Sequence, residues 1–325
     1  MKRVITVQDI SCVGKCSLSV ALPVISALGV EAAALPTALL STHTAFKEFS
    51  YKELTPQFAS ISRVFRRLRI GFDAIYTGYL GSIEQIDAIE EFVNEFKTDK
   101  TALIIDPVLG DHGRLYKGFS PATVERMAKF INGADLIVPN LTEAAFMLGI
   151  PFTYDYDEEY IRDILKRLCG LGAKRAALTG ISFETEKIGF YYYDSITDEF
   201  CSYFNEKVPG TYLGTGDIFA STVTGAYVKG FSYFDALKLA TDFSLECIKK
   251  TALDPEAREY GVNFEEALPM LIKRITKYKN TATDYLQRCL IFNITLRIPH
   301  RRTRDSFPHP LLLRNGKQIL QFRLP

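Results

Sequence analysis

Residues 101–105, Thr-Ala-Leu-Ile-Ile, form an apolar run without polar alternation. A strand with one wet face alternates apolar and polar side chains, whereas such a run suits a strand covered on both faces, as in a parallel sheet between two layers of helix. The neighbouring sequence repeats the theme. Arg3–Gln8, Val30–Leu40, Phe72–Thr77, Ala134–Val138 and Arg175–Thr179 read as further strands. Helical patterns lie between them at Ser17–Leu28, Leu54–Leu68, after Ser82 to Phe96, Pro121–Ile131 and Glu158–Leu171. Strands alternating with helices predict an α/β fold, a three-layer α/β/α sandwich with a mainly parallel central sheet. The alternation changes at Lys187–Tyr193 and Glu199–Phe204, an aromatic hairpin across Asp194–Asp198. Helices then follow to Lys229, over Tyr233–Lys250 and from Phe264 to about Ile275.

In an open sheet of this kind ligands bind beyond the carboxyl ends of the strands. Those ends are where the chemistry-bearing residues fall. Asp9 closes the first strand, Ser41-Thr42-His43-Thr44 the second, and Gly78-Tyr79-Leu80-Gly81-Ser82 the third. Two carboxylates, Asp106 and Asp111, lie just past the apolar run, and Pro139-Asn140-Leu141-Thr142-Glu143 opens a helix. Read alone, the polar cluster at 41–44 is also an ordinary turn, and Thr142 with Glu143 is also helix-start chemistry.

The segment Leu213-Gly214-Thr215-Gly216-Asp217 precedes an apolar helix. Glycines let successive N–H groups face one concavity, and the helix adds the positive end of its dipole, so the turn attracts anions. A carboxylate beside an anion hole suits phosphoryl transfer, as the base that takes a hydroxyl proton. The alternative is that Asp217 only caps its helix. Commoner glycine signatures do not fit. A dinucleotide fingerprint needs a glycine where Phe219 stands, and a Walker A loop ending at Gly14-Lys15 needs glycine at Asp9 and Ser or Thr at Cys16.

Charge divides the chain. Of 39 Lys/Arg and 38 Asp/Glu, residues 276–325 hold 10 basic and 2 acidic, a net of +8, which leaves −7 on the first 275. Periodicity also fades after Ile275. The expected organisation is one folded domain at 1–275 followed by an atypical basic tail at 276–325, disordered or loosely docked. An acidic body argues against nucleic acid as partner. Pro23, Glu31 and Pro36 break the longest apolar stretch, so no membrane span is expected. Six scattered cysteines without a secretory signal point to free thiols in a reducing cytoplasm; Cys12 and Cys16 lack a second pair or a nearby His to complete a metal site.

Together, Val7-Gln8-Asp9 with Gly14, Ser41–Thr44, Thr77–Ser82, Asp106–Asp111, Pro139–Glu143, Leu178-Thr179-Gly180 and Gly214–Asp217 resemble, in order and spacing, the motifs of the ribokinase superfamily. They most resemble its pyridoxal/pyridoxamine (vitamin B6) kinase family, over residues 1 to about 275. The resemblance implies transfer of phosphate from ATP to the 5′-hydroxymethyl group of pyridoxal, pyridoxamine or pyridoxine, in a homodimer using Mg²⁺ and a monovalent cation such as K⁺. It makes Asp217 the base and the N–H groups of Gly214, Thr215 and Gly216 the anion hole. Asn140 and Glu143 would face the phosphates and metal, with Asp106 and Asp111 nearby. Asp106 and Glu143 are the metal-site residues it implies. Thr179 would lie along the nucleotide, Tyr116 on a flap over it, and Asp9, Thr44 and Tyr79 would line the ring pocket. This family often carries Ser where Asp9 stands, and the loop from Asp111 to Tyr116 is short.

Three other readings compete. A kinase of the same fold could act on hydroxymethylpyrimidine. A non-catalytic nucleotide-binding regulator would not need Asp217. An NAD-dependent oxidoreductase lacks the third glycine and, with only His43 and His112 in the first 275 residues, has few histidines for hydride chemistry.

Overall fold

Nine strands lie side by side in one sheet, and the six at its centre run parallel. In chain order the elements are β1 (Arg3–Val13), α1 (Leu18–Ala27), β2 (Glu31–Thr42), β3 (Tyr51–Glu53), α2 (Thr55–Arg67), β4 (Ala74–Thr77), α3 (Ile83–Phe96) and β5 (Ala102–Ile105). A two-strand flap, β6 (Gly110–Asp111) and β7 (Arg114–Leu115), precedes α4 (Pro121–Phe130), β8 (Leu136–Ile137), α5 (Leu141–Leu148) and α6 (Glu158–Gly170). Then come β9 (Arg175–Ile181), β10 (Lys187–Asp194), β11 (Glu199–Glu206), α7 (Thr215–Val228) and α8 (Tyr233–Leu253), with a last helical segment at 268–276.

This computed structural model describes residues 1–276 and, as backbone, the antiparallel pair Leu312–Asn315 with Gln318–Gln321. The chain divides into two compact units, Met1–Ile275 and Thr276–Pro325. The expectation that 276–325 is disordered or loosely docked lies outside the described residues.

The sheet order is β11-β10-β9-β8-β5-β4-β1-β2-β3, with antiparallel pairing at β2–β3 and through the β9–β10–β11 meander. Every residue of β4 and β5 is buried, as expected of strands covered on both faces. One helical layer is built from α1, α7 and α8, which pack on one another, and the other from α2 to α6, packed in succession. The second layer and the sheet enclose a core that includes Ile5, Ile75, Phe92, Leu103, Ile105, Ile137, Ile164 and Leu178. Among the described residues no helix is long and apolar enough to cross a membrane.

The chain leaves β1 for β2 on one side and later returns to place β4 on the other. Connections diverge there, and the crevice between the carboxyl ends of β1 and β4 is the topological switch point where such sheets hold ligands.

The strands β3, β6 and β7 were not expected from the sequence, and among the boundaries that differ two change the reading of an element most. β1 continues five residues past Gln8, because Ile10, Ser11 and Val13 pair with the second half of β2. The pairing passes through a register shift in which two steps along β1 match three along β2. The last helix begins at residue 268, after a turn at 265–267, whereas the apolar pattern suggested Phe264.

Candidate active site

α7 begins at the glycine turn. Gly214 is its N-cap, in the left-handed region at φ 79°, and no side chain caps the helix. Asp217 therefore stands at the third helical position with its carboxylate free of the capping role that its sequence context allowed. The first helical bond runs from the Ile218 N–H to the Gly214 carbonyl at 3.2 Å, so the N–H groups of Thr215, Gly216 and Asp217 precede the ladder.

A segment two hundred residues away presses on this turn. The loop from Gly14 to Ser17 joins β1 to α1, and the backbone N–H of Ser17 donates to the Asp217 carboxylate. A Cβ on Gly214 would lie 2.2 Å from the Lys15 carbonyl oxygen. Asp217 is enclosed by these neighbours yet keeps part of its surface open. Burial pushes its pKa up to about 7 against the Ser17 bond, and the charge of Asp9 adds to the rise.

Asp106 lies directly after β5 and is 7% exposed. A Cβ on Gly216 would stand 4.0 Å from its Oδ2, which puts this carboxylate against the glycine turn. Burial, then the negative charges of Glu143 and Asp217, raise its pKa well above the usual carboxylate range.

Glu143 and Asn140 form a reciprocal capping box at the start of α5. Asn140 Oδ1 accepts from the Glu143 N–H at 3.0 Å, and the Asn140 N–H donates to Glu143 Oε2 at 2.9 Å. Glu143 Oε1 accepts from the Leu109 N–H at 2.9 Å, and Asn140 Nδ2 donates to the Gly110 carbonyl at 2.9 Å. The pair thus clamps the base of the β6–β7 flap to α5. Glu143 is 3% exposed, and burial raises it to about 7 even though backbone N–H groups stabilise its ionised form.

On the flap, Asp111 is exposed and its Oδ1 accepts the His112 N–H. Tyr116 follows β7 and is 42% exposed; burial and then the charges of Glu143, Asp111, Asp106 and Asp217 raise its hydroxyl pKa. Thr179, in β9, forms a parallel bridge with Asn140, and its N–H donates to the Pro139 carbonyl at 3.0 Å.

On the other side of Asp217 lies Asp9, which accepts from the Ser17 hydroxyl at 2.6 Å. Tyr79 follows β4, faces Phe119 at 5.5 Å between ring centres, and is pushed up to about 12 by burial and the charges of Tyr51 and Asp9. Thr44 is exposed on the loop after β2.

Electrostatic contacts therefore link Asp217 to Asp9 and Asp106, and Asp106 to Glu143, with Tyr79 beside Asp9 and with Tyr116 within reach of Glu143, Asp111, Asp106 and Asp217; no contact among the described residues joins Thr44 to this group. Such a cluster can accept a hydroxyl proton at Asp217, present N–H groups to an anion, and hold a divalent cation at carboxylates that no basic side chain pairs among the described residues.

Sequence reasoning missed the supports. Ser17, read only as the start of a helical pattern, hydrogen-bonds to both Asp9 and Asp217. Lys15 donates from Nζ to Asn263 Oδ1 at 2.9 Å and to Glu265 Oε2 at 3.0 Å. The Tyr260 carbonyl accepts from the Lys15 N–H at 3.4 Å and from His43 Nε2 at 3.0 Å. The Val262 N–H donates to the Leu213 carbonyl. Residues 260–265 thus strap together three loops of the site.

Residues 20–263 match the phosphomethylpyrimidine kinase family. A Bacteroides thetaiotaomicron protein crystallised with pyridoxal, provisionally assigned as a phosphomethylpyrimidine kinase, is 36% identical with a TM-score of 0.79; the match covers 83% of this chain and 95% of that one. Pyridoxal kinase from Lactobacillus plantarum is 31% identical with a TM-score of 0.77, over 86% of this chain and 99% of that one. Pyridoxal kinase from Dictyostelium discoideum is 27% identical over 267 residues, 77% of this chain and 83% of its own.

Proposed function

The chain belongs to the phosphomethylpyrimidine kinase family within the ribokinase-like fold, and from that premise we propose that it phosphorylates the 5′-hydroxymethyl group of pyridoxal, pyridoxamine and pyridoxine with ATP. The observation that carries the reading is the position of Asp217, partly open, free of capping duty and one residue beyond the Gly214–Gly216 turn, with Asp106 across that turn.

A primary alcohol is not acidic, so its attack on phosphorus needs a base at the oxygen. Asp217 takes that proton. Its pKa of about 7 keeps a usable fraction ionised at neutral pH while making it a stronger base than an ordinary carboxylate. The N–H groups of Gly214, Thr215 and Gly216 hold the transferring phosphoryl group, which carries spread negative charge in its transition state. Thr179 and the flap bearing Asp111 and Tyr116 bound the nucleotide, and Asp9, Thr44 and Tyr79 bound the ring.

The donor set fits Mg²⁺. Among the described residues no three metal-ligating side chains form a site by themselves. Mg²⁺ keeps several waters and is held by one or two carboxylates together with substrate phosphates, so a cage of protein ligands is not needed. Asp106, buried beside other carboxylates without a cation, would hold it, and Glu143 stands behind it through the Asn140 clamp. When bound, the ion neutralises phosphate charge. A monovalent cation such as K⁺ would assist at the same carboxylate-rich crevice. The acting species is a homodimer in the cytoplasm.

A second reading, phosphorylation of hydroxymethylpyrimidine, is favoured by the description of the matching family. The test is ATP consumption with pyridoxal, pyridoxamine, pyridoxine and hydroxymethylpyrimidine side by side. Turnover led by the three pyridines supports the first reading, and turnover confined to the pyrimidine replaces it with the second.

A further inference from the structure

Asp9 is 5% exposed, and its two oxygens are unequally used. Oδ1 accepts the Ser17 hydroxyl at 2.6 Å, whereas Oδ2 has only the Ser11 hydroxyl at 3.4 Å, beyond the usual range for an O–H donor. Oδ2 keeps an acceptor position to offer.

Among the described residues no Lys, Arg or His forms an ion pair with it. The basic side chain whose charge acts on Asp9 is His43, and its effect is smaller than that of the Ser17 and Ser11 hydroxyls. The ring nitrogens of His43 are already committed. Nδ1 accepts the Ala45 N–H at 3.1 Å and so carries no proton, and Nε2 donates to the Tyr260 carbonyl at 3.0 Å. A buried carboxylate is stable when a cation or several donors compensate it. Asp9 has one short hydroxyl donor, Ser17, with its own backbone N–H and the distant Ser11 hydroxyl adding to it, and no cation among them.

The carboxylate also has aromatic side chains and the base within electrostatic reach. Its charge reaches Tyr51 and Tyr79 on one side and Cys16 and Asp217 on the other. It lies within β1, one of the two strands that flank the switch point.

We infer that Asp9 is the specificity-determining residue of the alcohol site and selects a substrate ring that carries a cationic amine, so that pyridoxamine is preferred among the B6 vitamers. The inference rests on the kinase reading above. Pyridoxamine and pyridoxine differ only in an aminomethyl against a hydroxymethyl substituent, and only the former brings the charge that Oδ2 lacks. Pyridoxal, with an aldehyde there, should resemble pyridoxine.

The experiment is kcat/KM for pyridoxamine and pyridoxine with the full-length enzyme and with Asp9→Asn, which keeps an acceptor for Ser17 but removes the charge. A charge-assisted hydrogen bond predicts a preference of roughly 10- to 100-fold for pyridoxamine in the parent enzyme, collapsing toward one in the variant. A parent ratio near one overturns the inference, as does a ratio that survives in Asp9→Asn. Asp9→Ser provides the same comparison should the amide variant be unstable. If neither vitamer is phosphorylated, the kinase reading fails separately, and calorimetric binding of the two alcohols decides this one. An amine preference lost in the variant upholds it, and equal or absent binding overturns it.

Discussion

Gly214 and the Lys15 carbonyl oxygen approach so closely that a Cβ on Gly214 would stand 2.2 Å from that oxygen. The glycine is needed twice, once for the left-handed conformation of the N-cap and once for the packing of the loop between β1 and α1. Gly214→Ala should therefore displace the loop that donates to Asp217 and turn N–H groups away from the anion site. The expected result is a kcat lower by about 100-fold or more and a lower Tm. Circular dichroism melts with steady-state kinetics check it; normal values for both would mean that the loop yields without consequence.

Glu143 makes a prediction that separates support from metal binding. Both of its oxygens accept backbone N–H groups, from Asn140 and Leu109. In Glu143→Gln one of those donors meets an NH₂, so stability should fall by about 1–3 kcal/mol, seen as a lower Tm. The KM for ATP should rise as the flap base loosens. An unchanged Tm with a higher Mg²⁺ requirement alone would instead make Glu143 a ligand without a clamping role.

The pKa of about 7 at Asp217 has a definite sign in both activity and stability. As the base it must be ionised, so kcat/KM should climb with pH through about 7 and level off above it. For stability the raised value acts the other way. Between the ordinary carboxylate range and about 7 the unfolded chain has released this proton while the folded chain keeps it, so stability falls as pH rises across that window. Asp217→Asn should thus melt a few degrees higher than the parent at pH 8, with the difference vanishing near pH 4. Equal melting at both pH values would show that the carboxylate is not strained by its burial.

A chain ending at Thr276 should keep its Tm and turnover. Leu271 and Ile275 are buried in the first unit, so the cut must follow them. Insoluble or inactive protein would mean that residues beyond 276 belong to the same folding unit.

Much of this fold was legible because its signals are local. The apolar run at 101–105 marked a strand covered on both faces, and the aromatic alternation on either side of Asp194–Asp198 marked the β10–β11 pair. Strand ends then pointed to Asp106, Asn140 and Glu143; Asp9 was read as the end of the first strand, but β1 continues past it to Val13 because its second half pairs with β2. What stayed hidden depends on contacts distant in sequence. Nothing near Gly214 indicates that Lys15 will pack on it, and nothing near Tyr260 indicates that its carbonyl will tie Lys15 to His43. The extension of β1 to Val13 follows from pairing with β2 rather than from its own polar sequence. The role of Asp217 in its helix was open for the same reason, since the same four residues permit an aspartate cap or a glycine cap, and the Ser17 N–H that occupies the carboxylate comes from another part of the chain.

The central claim is that Asp217 is the general base, and Asp217→Asn tests it most directly. The amide keeps the shape of the side chain and an acceptor for the Ser17 N–H, but it cannot take the hydroxyl proton. With the B6 vitamer and ATP both saturating, kcat should fall by roughly 10²- to 10⁴-fold, while calorimetric affinity for ATP is retained or slightly increased by removal of a negative charge near the phosphates. Near-normal kcat in a folded Asp217→Asn enzyme would contradict the account.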